Sequence, residues 1–83
     1  MARWVSWSAL GTRIRDARHQ VHLTQRDVCR AVGVSQSQYS EFERGRLRPT
    51  RDRLANIAMV LKLDLGELLL LAGYAPPTPG DRD

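Results

Sequence analysis

The chain has 83 residues, and its 13 lysines and arginines outnumber 9 aspartates and glutamates for a formal charge of +4 at neutral pH. That length supports one small domain, in which folding buries only about 60% of the surface of the unfolded chain, so no second domain is expected. The single cysteine excludes an intrachain disulfide and suits a reducing compartment; no run nears the ~18 apolar residues of a membrane span, and "MARWVSWSAL" has no uninterrupted apolar core, so a soluble, cytoplasmic protein is expected.

Residues 1–7 read as an arm carrying Trp4, Val5 and Trp7, apolar mass expected to cover the core or join an interface. Leu10, Ile14, Ala17 and Val21 then recur at helical spacing with Arg13, Arg15 and Asp16 between them, which predicts an amphipathic helix over residues 8–20. The second helix, in "TQRDVCRAVG", opens on a capping box of Thr24 with Asp27, buries Val28 and Val32, and ends at Gly33. The third lies in "SQSQYSEFERG", where Ser35 and Gln38 form a capping box and Gly45 supplies the left-handed residue that closes a helix.

A fourth helix starts at Thr50 after Pro49 and buries Leu54, Ile57, Ala58 and Leu61. The fifth opens on a capping box of Asp64 with Glu67 and runs through "LLLLA" to Gly73, burying Leu65, Leu68, Leu69 and Ala72. No segment alternates with period two, so the expected fold class is all-α: five helices over residues 8–74, then a Pro-rich tail, residues 75–83, with nothing to bury.

The third helix is unusually polar. At about 100° per residue, Tyr39 and Phe42 point one way, while Gln36, Ser37, Ser40, Glu41 and Arg44 fall on one opposite arc, a continuous hydrogen-bonding surface. Only Gly33 to Ser35 separate the second helix from the third, and Cys29 is small enough for the two to cross closely. Two short helices at a steep angle, the second polar outside, make a helix-turn-helix, whose second helix enters the DNA major groove and matches amides and hydroxyls to base edges. Residues 44–53, "RGRLRPTRDR", follow with five arginines and one aspartate. Such a patch suits a polyanion, because neutralising phosphates releases counterions; a solvated basic loop is the alternative.

Residues 10–72 resemble the helix-turn-helix domain of the Cro and C1 repressor family, also called the Xre family. The resemblance is carried by "LTQRDVCRAVGVSQSQYSEFERG", with "LGTRIRDAR" before it and "RPTRDRLANIAMVLKLDLGELL" after. It implies a five-helix, lambda-repressor-like domain in a sequence-specific regulator of transcription, of repressor or controller type, that binds double-stranded DNA as a homodimer. The operator would be near-palindromic, with recognition helices about 34 Å apart. By the same resemblance Gln25 contacts a phosphate, and Gln36, Ser37 and Glu41, with Ser40 on the same arc, face base edges. Arg44, Arg46, Arg48, Thr50 and Arg51 look like phosphate contacts, and Arg18 with Glu43 matches the ion pair that ties the first helix to the third.

The chain departs from the family at Cys29, where alanine is usual and a buried small thiol is expected, and at Tyr39, where an aliphatic is usual and the hydroxyl needs a partner. His19 and His22 have no third ligand nearby, so a metal is not expected; no nucleophile, base and orienter recur together, so neither catalysis nor a cofactor is expected. Leu70 and Leu71 project from the far side of the fifth helix, near Met59 and Tyr74, and mark the expected dimer interface together with Tyr74. The second functional reading is an antitoxin or protein-interaction module, in which that leucine face captures a protein partner and DNA binding is autoregulatory.

Overall fold

The computed structural model describes residues 6–75; Trp4, Val5 and the tail beyond Ala75 lie outside the described residues. Five helices run in the expected order, α1 Ser8–Gln20, α2 Gln25–Val32, α3 Gln36–Glu43, α4 Arg51–Leu61 and α5 Leu65–Leu71, and no strand occurs among the described residues. Their apolar stripes meet in one core: Leu10 and Ile14 of α1, Val28 of α2, Tyr39 and Phe42 of α3, Leu54 and Ile57 of α4, and Leu68 of α5 are all buried. Each such burial contributes about 1.5–3 kcal/mol before the entropy of ordering is charged against it. α1 packs against α3, α4 and α5, and α2 packs against α3 and α4, so the short second and third helices rest on longer supports.

The caps show which local signals survive packing. Thr24 and Asp27 form a complete capping box, at 3.0 and 2.9 Å. The expected boxes at Ser35 and Asp64 are only half made: each N-cap oxygen accepts from the third backbone N–H, at 3.1 and 3.0 Å, but no return bond forms. For Glu67 the reason is a better partner, since its carboxylate accepts from Arg13 Nε at 3.0 Å and thereby joins α5 to α1. Gln38 is neutral and exposed, so its return bond has little to set against the entropy of ordering the side chain. Two further expectations shift by one position in depth: Val21, just past the end of α1, and Leu65, at the start of α5, are half-buried rather than core.

Gly11 is where α1 meets the end of α3. A Cβ there would collide with the backbone carbonyls of Phe42 and Glu43, so the crossing requires a residue without a side chain. One turn before Gly11, Trp7 reaches α5: the carbonyl of Ala72, its C-cap, accepts from Trp7 Nε1 at 3.2 Å and from Arg48 Nη1 at 3.3 Å. Tyr74 completes this clasp: its hydroxyl donates to the Pro49 carbonyl at 2.9 Å, and its ring lies under the guanidinium of Arg48 at 4.3 Å. The residues before α1, the α3–α4 loop and the end of α5 are thereby held together. No helix among the described residues is long and apolar enough to cross a membrane.

Candidate nucleic-acid interface

The turn between α2 and α3 is made by backbone chemistry. Gly33 takes the left-handed conformation at φ 88°, its N–H donates to the Cys29 carbonyl at 2.7 Å, and the N–H of Val34 donates to the same oxygen at 3.2 Å. These bonds satisfy the Cys29 carbonyl near the helix end and turn the chain within three residues. Cys29 is buried at the crossing, with its thiol donating to the Ser35 carbonyl at 3.8 Å. Burial pushes that thiol up from its ordinary pKa, which disfavours the reactive thiolate. Arg53 adds a donor from α4 to the carbonyl of Gly33, at 3.3 Å.

Tyr39 and Phe42 face inward, edge to face, with ring centroids 6.2 Å apart. The opposite arc is open as the sequence predicts: Gln36, Ser37 and Arg44 are exposed, and Ser40 and Glu41 are half-buried. With Gln25 these residues line a single groove. Glu41 is already engaged within it, accepting from Arg44 Nη1 at 3.1 Å and lying 3.9 Å from Arg46 Nη1. The carboxylate therefore aims two arginines as well as presenting an acceptor.

Behind the arc, Glu43 turns inward and is buried. Its Oε2 accepts from Arg18 Nε at 2.7 Å, while Oε1 accepts from Arg18 Nη2 and from Gln25 Nε2, both at 3.0 Å. Burial resists ionisation of this carboxyl, yet the donors around it, Arg18 foremost, outweigh that resistance and hold it below the usual carboxylate range. The hydrogen bonds to Glu43 raise Arg18 in turn. The Tyr39 hydroxyl comes close enough to Glu43 to feel its charge but closes no well-formed hydrogen bond with any described residue. Burial first, and the carboxylate second, push this phenol well above its ordinary pKa.

The basic loop divides into two sets. Arg44 and Arg46 reach into solvent, with side chains 58% and 68% exposed. Thr50 is the N-cap of α4, accepting from the Arg53 N–H at 3.2 Å, which leaves its hydroxyl proton free to donate outward. Arg48 and Arg51 are exposed too but also lie over Tyr74, and Arg48 sits 5.8 Å from the Trp7 ring centroid. Nothing in the spacing of "RGRLRPTRDR" separates these sets; the signal was Tyr74, 23 residues beyond Arg51 in the chain. Of the expected interface on α5, Leu70 is 61% exposed, whereas Leu71 is half-buried against the core and Tyr74 is spent on the clasp.

These features agree with what the chain is similar to. The family model for a helix-turn-helix domain matches residues 9–71. A 10 kDa protein of the ImmF control region of Bacillus phage phi105 is 39% identical over 59 residues, covering 71% of this chain and 66% of that protein. The chain spans between about half and two thirds of the length of the curated relatives it matches. Among solved structures, the clp gene regulator ClgR from Corynebacterium glutamicum superposes with a TM-score of 0.72 at 29% identity, over 87% of this chain and 77% of that one. SinR, a Bacillus subtilis protein seen both with DNA and in complex with the protein SinI, gives 0.66 at 26% identity in its DNA complex, over 72% and 97% of the two chains. The five helices, the tight turn after Gly33 and the polar arc of α3 are thus those of a lambda-repressor-like domain, and the chain belongs to the helix-turn-helix family of Cro/C1, or Xre, type.

Proposed function

We propose that the chain is a sequence-specific regulator of transcription that binds double-stranded DNA through α3. The observation that carries this reading is the open arc of Gln36, Ser37, Ser40 and Glu41, backed by core residues and flanked by the solvent-directed Arg44 and Arg46. Gln36 can bond adenine at N6 and N7, and Glu41 can accept from a cytosine amino group. Gln25, Arg44, Arg46 and Thr50 hold phosphates; Arg51 joins them where it clears Tyr74, and Arg48 acts mainly through the clasp. Action in the cytoplasm, without cofactor or catalysis, completes the proposal.

Its operator is near-palindromic and is met by a homodimer, with Leu70 at the centre of the contact between protomers and Leu71 beside it. Selection of bound sequences from a random duplex pool tests the proposal: two half-sites about one helical turn apart are expected, and no enrichment over the starting pool overturns it. The exposure of Leu70 also favours a second reading, a protein-interaction or antitoxin-like module whose DNA binding is autoregulatory. Sedimentation of the purified chain separates them: a dimer without other components supports the first, and a monomer that dimerises neither alone nor on the selected duplex supports the second.

A further inference from the structure

Gln25 and Tyr39 meet at one carboxylate. Both lone-pair positions of Glu43 Oε1 are taken, by Arg18 Nη2 and by Gln25 Nε2, each at 3.0 Å. Tyr39 precedes Glu43 by one helical turn, so their side chains share a face of α3. The phenol is fully buried, and its hydroxyl lies near the Glu43 carboxylate without closing a hydrogen bond of good geometry to any described residue. A buried hydroxyl left in that state is a standing cost unless some other state of the protein satisfies it. Gln25 itself is half-buried and also lines the groove with Gln36, Ser37 and Ser40, so its amide can turn either to Glu43 or outward.

Resting on the DNA reading above, we propose that Gln25 leaves Glu43 to engage a phosphate, and that the Tyr39 hydroxyl then donates to the lone pair Gln25 vacates. Arg18 already gives Glu43 two hydrogen bonds, from Nε and Nη2, while its Nη1 donates to the Leu23 carbonyl at 3.0 Å. Without Tyr39 the move would leave the buried carboxylate with the two Arg18 bonds alone. With it, one hydrogen bond replaces another, and the phosphate contact is gained at little cost. Tyr39 touches no DNA and acts as a positioning residue through Glu43 and Gln25.

A double-mutant cycle tests this, with Tyr39→Phe and Gln25→Ala measured singly and together against the best duplex recovered by selection with the wild-type chain. Tyr39→Phe is expected to weaken binding about tenfold when Gln25 is present, the scale of a hydrogen bond to a charged group, and less than about twofold in the Gln25→Ala background. The melting temperature of free Tyr39→Phe should match or exceed that of the wild type, since the hydroxyl is unpaired there. Equal losses in both backgrounds assign Tyr39 a packing role and overturn the inference. So does no loss in either background, the result if Gln25 bridges Glu43 and phosphate with its two N–H groups, and so does a Tyr39→Phe protein that melts several degrees lower. A wild type that binds no duplex overturns both this inference and the DNA reading; a wild type that binds without coupling overturns this inference alone.

Discussion

Arg18 and Glu43 close a two-point bridge between α1 and α3, Nε to Oε2 at 2.7 Å and Nη2 to Oε1 at 3.0 Å, with side chains only 11% and 4% exposed. Removing one member of such a pair strands the other charge, a loss of about 3 kcal/mol or more. Glu43→Ala should therefore lower the melting temperature by roughly 12 °C or more in a domain of this size. Glu41, whose partners Arg44 and Arg46 are largely in water, should lose less than about 1 kcal/mol on the same change. Thermal unfolding of the two variants side by side checks the contrast, and the reverse order would show that the inner and outer faces of α3 are misassigned.

The same carboxylate sets an acid limit. Glu43 ionises more readily in the folded chain than in the unfolded one, so the unfolded state binds more protons in acid and stability falls as pH falls. The contribution is whole above the ordinary value of 4.5 and is lost progressively below it, as pH drops through the depressed folded value. Glu43→Gln should be less stable than the wild type near neutrality and lose less stability across the acid range. Urea titrations at a series of pH values measure this, and parallel curves for the two proteins would assign the acid sensitivity elsewhere.

Gly11→Ala adds one methyl where the backbone of α3 already touches α1. In an ordinary helix interior this change stabilises by up to about 1 kcal/mol. Here the obstacle is backbone rather than a movable side chain, and overpacking should destabilise by about 1–3 kcal/mol. Chemical denaturation gives the sign; a stabilised variant would mean that α1 and α3 sit further apart.

The arginines should separate by assay. Arg44→Ala and Arg46→Ala should each weaken binding to the selected duplex and reduce the slope of log affinity against log salt by about one, with little change in melting temperature. Arg48→Ala, which removes the stack on Tyr74 and a bond to the Ala72 carbonyl, should lower the melting temperature and change the salt slope least. Equal salt effects from all three would return Arg48 to the phosphate set.

Leu70→Glu places a charge on the exposed leucine of α5 without entering the core. The variant should melt within about 0.5 kcal/mol of the wild type in stability, sediment as a monomer, and bind a full operator more weakly than the wild type while keeping its half-site preference. An unchanged dimer would move the contact to another face.

Much of the fold is legible in the chain because its determinants are local. Helical spacing of apolar residues, an N-cap at Thr24, Ser35, Thr50 and Asp64, and left-handed glycines at 33, 45 and 73 act within a turn or two of themselves, and each appears where periodicity and capping chemistry place it. The polar arc of α3 is legible for the same reason: on a helix, angle follows from position. Local signals say less about the left-handed His22 and Lys62, which close α1 and α4 without glycine at a cost that packing must offset.

Pairing between distant residues is another matter. That Glu67 turns to Arg13 instead of completing its own cap, that Tyr74 reaches back to Pro49 and gathers Arg48 and Arg51, and that Gln25 rests on Glu43 all depend on which elements pack side by side. An ionic or polar side chain chooses among partners by distance and burial, and neither exists until the helices meet. Composition and periodicity therefore settle that there are five helices and which face of each is apolar, whereas the packed core alone decides which arginines of the basic loop also stack on Tyr74 and which do not.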